Sequence, residues 1–323
     1  MSILSPQEIA AKYTSVLNML REIAETYHIS ARREDAVNVL AVGLALLHEV
    51  SPHHQAIFLT SYGKQLTASV FQSKRTADEA LSVLSRAKQL AESLGEQVLL
   101  ANVLYELGEL YFVRGHKTEG EASDYDTALS YMLHALDLFE AEHDEKHMPQ
   151  ASLGVGRMYQ NRGQNEAAQL YIERALEQAE QQQNKAIWAE AINHLALLTA
   201  GVDDIETALQ HAKTAITIRE SAGLKAEIPY SYLTLAELYQ AEGKNAEALA
   251  TYQQCYTLSE EIQSTATIFV LLGIGYIHLE KNNTAEAIKH FEQALTRAEA
   301  IGLRTGIQEA QEALAEAKER VHV

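Results

Sequence analysis

An alanine followed seven residues later by another small residue recurs at a nearly constant step along this chain. The pairs are Ala80 and Ala87, Ala128 and Ala135, Ala168 and Ala175, Ala208 and Ala215, Ala248 and Cys255, and Ala287 and Ala294. Successive first members lie 48, 40, 40, 40 and 39 residues apart. Seven residues are close to two helical turns, so each pair marks one helix face where another backbone can approach closely. A step this regular describes a chain made of one supersecondary unit used repeatedly, with each unit burying its apolar face on the next.

A second set of residues precedes each pair. Leu107-Gly108-x-x-Tyr111, Gly156-x-x-Tyr159, Ala196-x-x-Thr199, Ala236-x-x-Tyr239 and Gly273-x-x-Tyr276 each place a small residue three positions before a larger one. The small residue lies twelve positions before the alanine in most units, fourteen before it in the last, and twenty before it at Gly108. The excess of eight at Gly108 is the segment His116 to Ser123, HKTEGEAS, an extended connection that also explains the single 48-residue step. Turn residues fall between the two sets at Arg114-Gly115, Arg162-Gly163-Gln164-Asn165, Glu242-Gly243-Lys244-Asn245 and Lys281-Asn282-Asn283. Pro149 and Pro229 stand near the starts of two first helices, where a missing N–H is harmless.

This pattern resembles the tetratricopeptide-repeat (TPR) family over residues 97–301, in the longer-repeat variety similar to kinesin light chains and to bacterial regulators of the Rap and PlcR type. The resemblance implies an all-α fold: a right-handed superhelical solenoid of about seven helical hairpins, closed by a capping helix. The same register runs backwards through Ala68-x-x-Phe71 and Ala24-x-x-Tyr27, giving two more degenerate hairpins. The third repeat departs most, with Thr199 for the aromatic and Ala200-Gly201-Val202-Asp203 for the turn. Arg304 to Arg320 reads as the final amphipathic helix. The expected divisions are 1–75, degenerate hairpins of near-neutral charge; 76–303, an acidic repeat body; and 304–323, the cap.

The charge supports that division. The chain of 323 residues has a formal net charge of −18. Residues 1–75 carry a net of +1 and residues 76–323 a net of −19. An acidic body disfavours nucleic-acid binding, which needs a basic footprint. With no secretory signal in Met1 to Tyr13 and no apolar stretch long enough to span a bilayer, the expected setting is cytoplasmic, without a membrane partner.

No local motif for phosphate, nucleophile or metal chemistry is present, so no cofactor, no metal and no catalytic residue is expected, and the chain reads as a non-enzyme. The lone Cys255 fits a buried small side chain. His143 and His147, flanking Asp144 and Glu145, and the pair His53-His54 read as helix-end residues. In TPR structures the first helices line a concave groove. Counting the small residue as position eight, the resemblance directs positions two, five, six and nine toward it. The candidate ligand groove is then Asn102, Tyr105, Glu109, Gln150, Arg157, Glu190, Asn193, His194, Tyr230 and Glu237. Only Arg157 is cationic, so the set suits a polar or basic partner, a protein or peptide segment. The function expected is a peptide- or protein-binding scaffold or receptor. The alternatives are a ligand-sensing regulator whose N-terminal hairpins act on an effector protein, and a solenoid-fold enzyme.

Overall fold

The computed structural model describes residues 4–201 and 204–321; Val202 and Asp203 of the expected third-repeat turn lie outside the described residues. The described chain is all-α. Its first helices and their partners are α1 (Pro6–Ile29) with α2 (Arg33–Gly43), α3 (Pro52–Gln72) with α4 (Asp78–Leu94), and α5 (Gln97–Gly115) with α6 (Ser123–Ala141). They continue as α7 (Met148–Asn161) with α8 (Asn165–Gln181), α9 (Lys185–Ala200) with α10 (Ile205–Ala222), α11 (Ile228–Ala241) with α12 (Asn245–Glu261), and α13 (Ala266–Glu280) with α14 (Thr284–Ile301). A single helix α15 (Arg304–Val321) follows, and one 3-10 segment, Leu44–Glu49, extends α2. Seven hairpins and a terminal helix are what the repeat spacing requires.

The chain forms two compact units. The first comprises Met1–Phe71, Arg75–Gly115 and Glu119–Met158; the second comprises Gln72–Lys74, His116–Thr118 and Tyr159–Val323. Within the first, α1 packs on α2, α4 on α5 and α5 on α6. Within the second, α9 pairs with α10, α11 with α12 and α13 with α14, while α9, α11, α13 and α15 also touch in succession. First helices are thus neighbours of first helices, so side chains about forty residues apart share one surface.

All twelve members of the small-residue pairs are 0% exposed. They sit where second helices cross their neighbours, and the lone thiol follows the same rule. Cys255 is buried, with its Sγ 3.0 Å from the Pro229 carbonyl, and burial pushes the thiol up to about 12. The hairpin turns at Gly163 and Gly243 have φ of 69° and 74°, a left-handed conformation that glycine adopts without strain. At the start of the chain, Ser5 and Glu8 form a reciprocal capping box with Pro6 in the first turn. Pro149 and Pro229 each occupy the second residue of their helices.

Two register readings change. In the last hairpin, Gly275 rather than Gly273 makes the approach within the pair: a Cβ there would lie 2.3 Å from Phe291 Cε1. Gly275 is twelve residues before Ala287, so the exceptional spacing of fourteen disappears. Gly273 instead faces Tyr252 of the preceding second helix. In α3 the close approach falls on Gly63, against Leu84, while Ala68 is only half-buried. The five residues between α3 and α4, against three between α7 and α8, shift where the two helices meet.

The HKTEGEAS segment is anchored. Lys117 is 2% exposed, and its ammonium donates to the Ser73 carbonyl at 2.6 Å and to the Ile301 carbonyl. Thr118 N donates to Gly302 O at 3.0 Å and Arg304 N to His116 O at 2.8 Å, around an isolated antiparallel bridge between Lys117 and Leu303. Carbonyl oxygens replace the water a buried ammonium loses.

Candidate functional site: polar contacts between successive first helices

The ten candidate residues divide equally between the units. In the first, Arg157 of α7 donates from Nη1 to Glu109 Oε1 at 3.1 Å and from Nη2 to Glu109 Oε2 at 3.4 Å, a two-pronged pair with α5. Tyr105 O–H donates to the same Glu109 Oε1 at 2.9 Å, and the guanidinium lies 5.3 Å from the Phe112 ring centre. The structure therefore brings Tyr105, Glu109 and Arg157 into one network. Gln150 is half-buried on α7, one helix with Arg157. Asn102 turns back along its own helix, its amide donating to Val98 O at 2.8 Å.

Glu106 occupies the same register but is buried. Removal from water pushes its carboxyl up to about 8; Glu109 and Glu25 add to the rise and Lys64 opposes it. That shift favours the neutral acid at neutral pH.

In the second unit the links run helix by helix. His194 Nδ1 lies 2.7 Å from Gln160 Oε1, joining α9 to the end of α7, and Gln160 Nε2 donates to the His194 carbonyl at 3.4 Å. Asn193 Nδ2 donates to Thr234 Oγ1 at 3.2 Å, joining α9 to α11, and the Thr234 hydroxyl donates to Tyr230 O at 3.1 Å. The Tyr230 hydroxyl accepts from Gln72 Nε2 at 3.1 Å and lies 2.8 Å from Thr265 Oγ1, while Gln72 Oε1 accepts from Thr265 N at 3.0 Å. Asn193 is 6% exposed, yet its Oδ1 has no hydrogen-bond partner. A buried acceptor without a donor is costly, by about 1–3 kcal/mol, unless something else supplies one.

Glu237 remains exposed on α11, but the surrounding protein raises its carboxyl to about 7, with Glu309 of α15 adding to the shift. Glu190 is half-buried and lies near Arg219, a buried guanidinium on α10 that donates to Glu227 O at 2.9 Å and Ser231 Oγ at 2.6 Å. Burial lowers the Arg219 pKa, against the pull of Glu190, Glu227 and Tyr230. Gln72, Gln160 and Arg219 were not legible from the repeat register. Gln72 and Gln160 sit at helix ends, and Arg219 is on a second helix.

The histidines read as helix-end residues have nearby partners. His147 Nδ1 is 2.7 Å from Asp144 Oδ2 and its ring stacks on Phe139; His53 Nδ1 is 2.6 Å from Glu96 Oε2. Among the described residues no three potential metal ligands converge, and no helix is long and apolar enough to cross a membrane.

Sequence profiles of the tetratricopeptide repeat match residues 151–186 and 227–300. The chain carries tetratricopeptide repeats. The TPR assignment agrees with its likeness to solved structures. A Rap protein complexed with Competence and Sporulation Factor is 15% identical with a TM-score of 0.65, over 95% of this chain and 86% of that one. NprR in complex with its cognate peptide NprX is 13% identical at 0.63, over 80% and 73%. The Rap conjugation gene regulator of plasmid pLS20, in complex with the Phr* peptide, is 16% identical at 0.55, over 96% of each chain. At these identities the likeness is one of fold. No curated protein matches the TPR chain in sequence.

Proposed function

We propose that this TPR protein is a binding module, not a catalyst, and that the first-helix surface of its second unit takes an extended peptide or protein segment. The observation that carries the reading is Asn193: an amide held by Thr234 between α9 and α11, whose buried carbonyl oxygen lacks a donor within the fold. A backbone N–H of an extended segment supplies that donor when the amide turns toward the surface. Around it, Glu190 adds a carboxylate and Glu237 a carboxyl, raised to about 7, that a basic group holds ionised, so the ligand that fits is polar or basic. Peptide complexes of fold neighbours support the class of partner. In the first unit, Tyr105, Glu109 and Arg157 form a rigid polar patch of the same kind, with Asn102 and Gln150 beside it.

The test is selection of short peptides from a displayed library by the full chain. Peptides so selected should lose about tenfold or more in affinity, roughly 1.4 kcal/mol, on Asn193→Ala and on Glu237→Gln, with helical content unchanged. Equal binding by both variants would remove this surface as the site.

A second reading, a regulator whose N-terminal hairpins act on an effector protein, is favoured by α1. Ile9, Val16, Met19 and Ile23 form an exposed apolar stripe at helical spacing, with Met19 60% exposed. Val16→Asp with Met19→Asp should abolish capture of a protein partner while leaving peptide affinity intact. Capture that survives the double substitution argues against an effector docked on α1.

A further inference from the structure

The first unit holds a cleft of about 500 Å³ between α1 and α3, within the range of about 300–1,000 Å³ usual for small-molecule sites. Its floor is apolar, from Ala24 and Leu40, 1% and 0% exposed. Its walls are charged. From α1 come Asn18, Arg21, Glu22 and Glu25, at the three-, four- and seven-residue spacings that put side chains on one helix face; from α3 come Ser61 and Lys64.

The walls are fixed by bonds across the two helices. Arg21 Nε donates to Ser61 Oγ at 2.8 Å, and Nη1 donates to Asn18 Oδ1 at 3.2 Å. These two bonds hold the guanidinium plane and use two of its five N–H donors. Lys64 Nζ bridges to Glu25 at 3.2 Å. The cleft therefore presents two cations and two anions at short range, with the Arg21 and Glu22 side chains adjacent on its α1 wall.

From this arrangement we infer that the cleft is a binding site for a small zwitterion, a free α-amino acid, with its carboxylate on Arg21 and its ammonium on Glu22. A simple anion would meet Glu22 and Glu25, and a simple cation would meet Arg21 and Lys64. A ligand with both charges a few bonds apart satisfies the two sides together. The flanking titratable groups leave this balance undisturbed at neutral pH. His28, which bonds Gln65 in the cleft wall, is pushed down to about 4, chiefly by burial and by Lys64, and is neutral. Glu106, close to Lys64 and Glu25, is pushed up to about 8 and is neutral as well. The inference rests on the first unit alone and stands apart from the peptide surface proposed above.

The experiment is a thermal-shift screen of the full chain against the twenty free amino acids at millimolar concentration, followed by calorimetry on whichever raises Tm. For each such amino acid, the N-acetyl derivative lacks the ammonium and the C-terminal amide lacks the carboxylate. Both derivatives should bind at least about tenfold more weakly than the parent, as expected when a charge-assisted hydrogen bond is lost. Arg21→Gln and Glu22→Gln should each weaken the parent by a similar factor. Glu22 is exposed, so Glu22→Gln keeps the test valid if Arg21→Gln loosens the helix pair. Failure of all twenty amino acids to shift Tm overturns the inference. So does a derivative that binds as tightly as its parent, or Glu22→Gln binding undiminished.

Discussion

Gly273→Ala destabilises the second unit by about 2 kcal/mol, although the substitution puts a better helix former into the middle of a helix. Alanine gains about 1 kcal/mol over glycine in a helix interior. A Cβ at residue 273, however, would stand 2.2 Å from Tyr252 Cζ and 2.3 Å from its hydroxyl oxygen. The ring has nowhere to go: Tyr252 is 1% exposed, and its hydroxyl donates to Gln240 Oε1 at 2.9 Å. Overpacking of this kind costs about 3 kcal/mol at its upper range and decides the sign. Urea denaturation gives the loss directly, and a double-mutant cycle identifies its cause. In a Tyr252→Ala background, Gly273→Ala should cost nothing or stabilise slightly. An equal cost in both backgrounds would place the origin of the effect elsewhere than the ring.

Stability of the first unit falls as pH rises from about 6.5 to about 8, and Glu106→Gln removes that fall. The Glu106 carboxyl, ordinarily near 4.5, is held up to about 8 in the folded chain by burial, with Glu109 and Glu25 adding and Lys64 opposing. Between those two values the native state keeps a proton that the unfolded chain has lost. Rising pH therefore favours unfolding, by an amount on the order of 3 kcal/mol across the window. Glutamine has the shape of the neutral acid and no charge to acquire. His28 acts in the opposite sense. Its folded value lies near 4 against an ordinary 6.5, so the native state binds fewer protons between them, and stability is lost as pH falls through that range. Between about pH 4.5 and 6.5 the two effects largely cancel, so the net loss is seen above about pH 6.5. Thermal melts of both proteins from pH 5 to 8 measure this. A slope unchanged by Glu106→Gln would mean that this carboxyl is ionised in the folded protein.

The small-residue period determined the fold because close helix crossings tolerate few side chains. Each alanine of the seven-residue pairs, and Cys255, is fully buried where the period put it. Seven hairpins and a terminal helix follow from counting those crossings. The last hairpin shows where counting alone fails. Gly273 and Gly275 are both small, and sequence cannot tell which faces Phe291 and which faces Tyr252.

The candidate surface was legible in part for a related reason. A repeat register assigns positions along a helix, and the structure joins three of those positions, Tyr105, Glu109 and Arg157, in one network. It says nothing of depth. Glu106 and Asn193 were both at register positions directed outward, yet both are buried, and burial is what makes one a neutral acid and the other an acceptor without a donor. Nor does a register reach contacts made by residues outside it. Gln72 meets Tyr230 across 158 positions, and Lys117 meets Ile301 across 184. Arg21, Ser61 and Lys64 line one cleft from two helices of the degenerate hairpins. Periodicity is a property of neighbours in the chain, so it determined the helices and their order. Desolvation and long-range contacts depend on what packs around each group in three dimensions, and only the tertiary structure decided them.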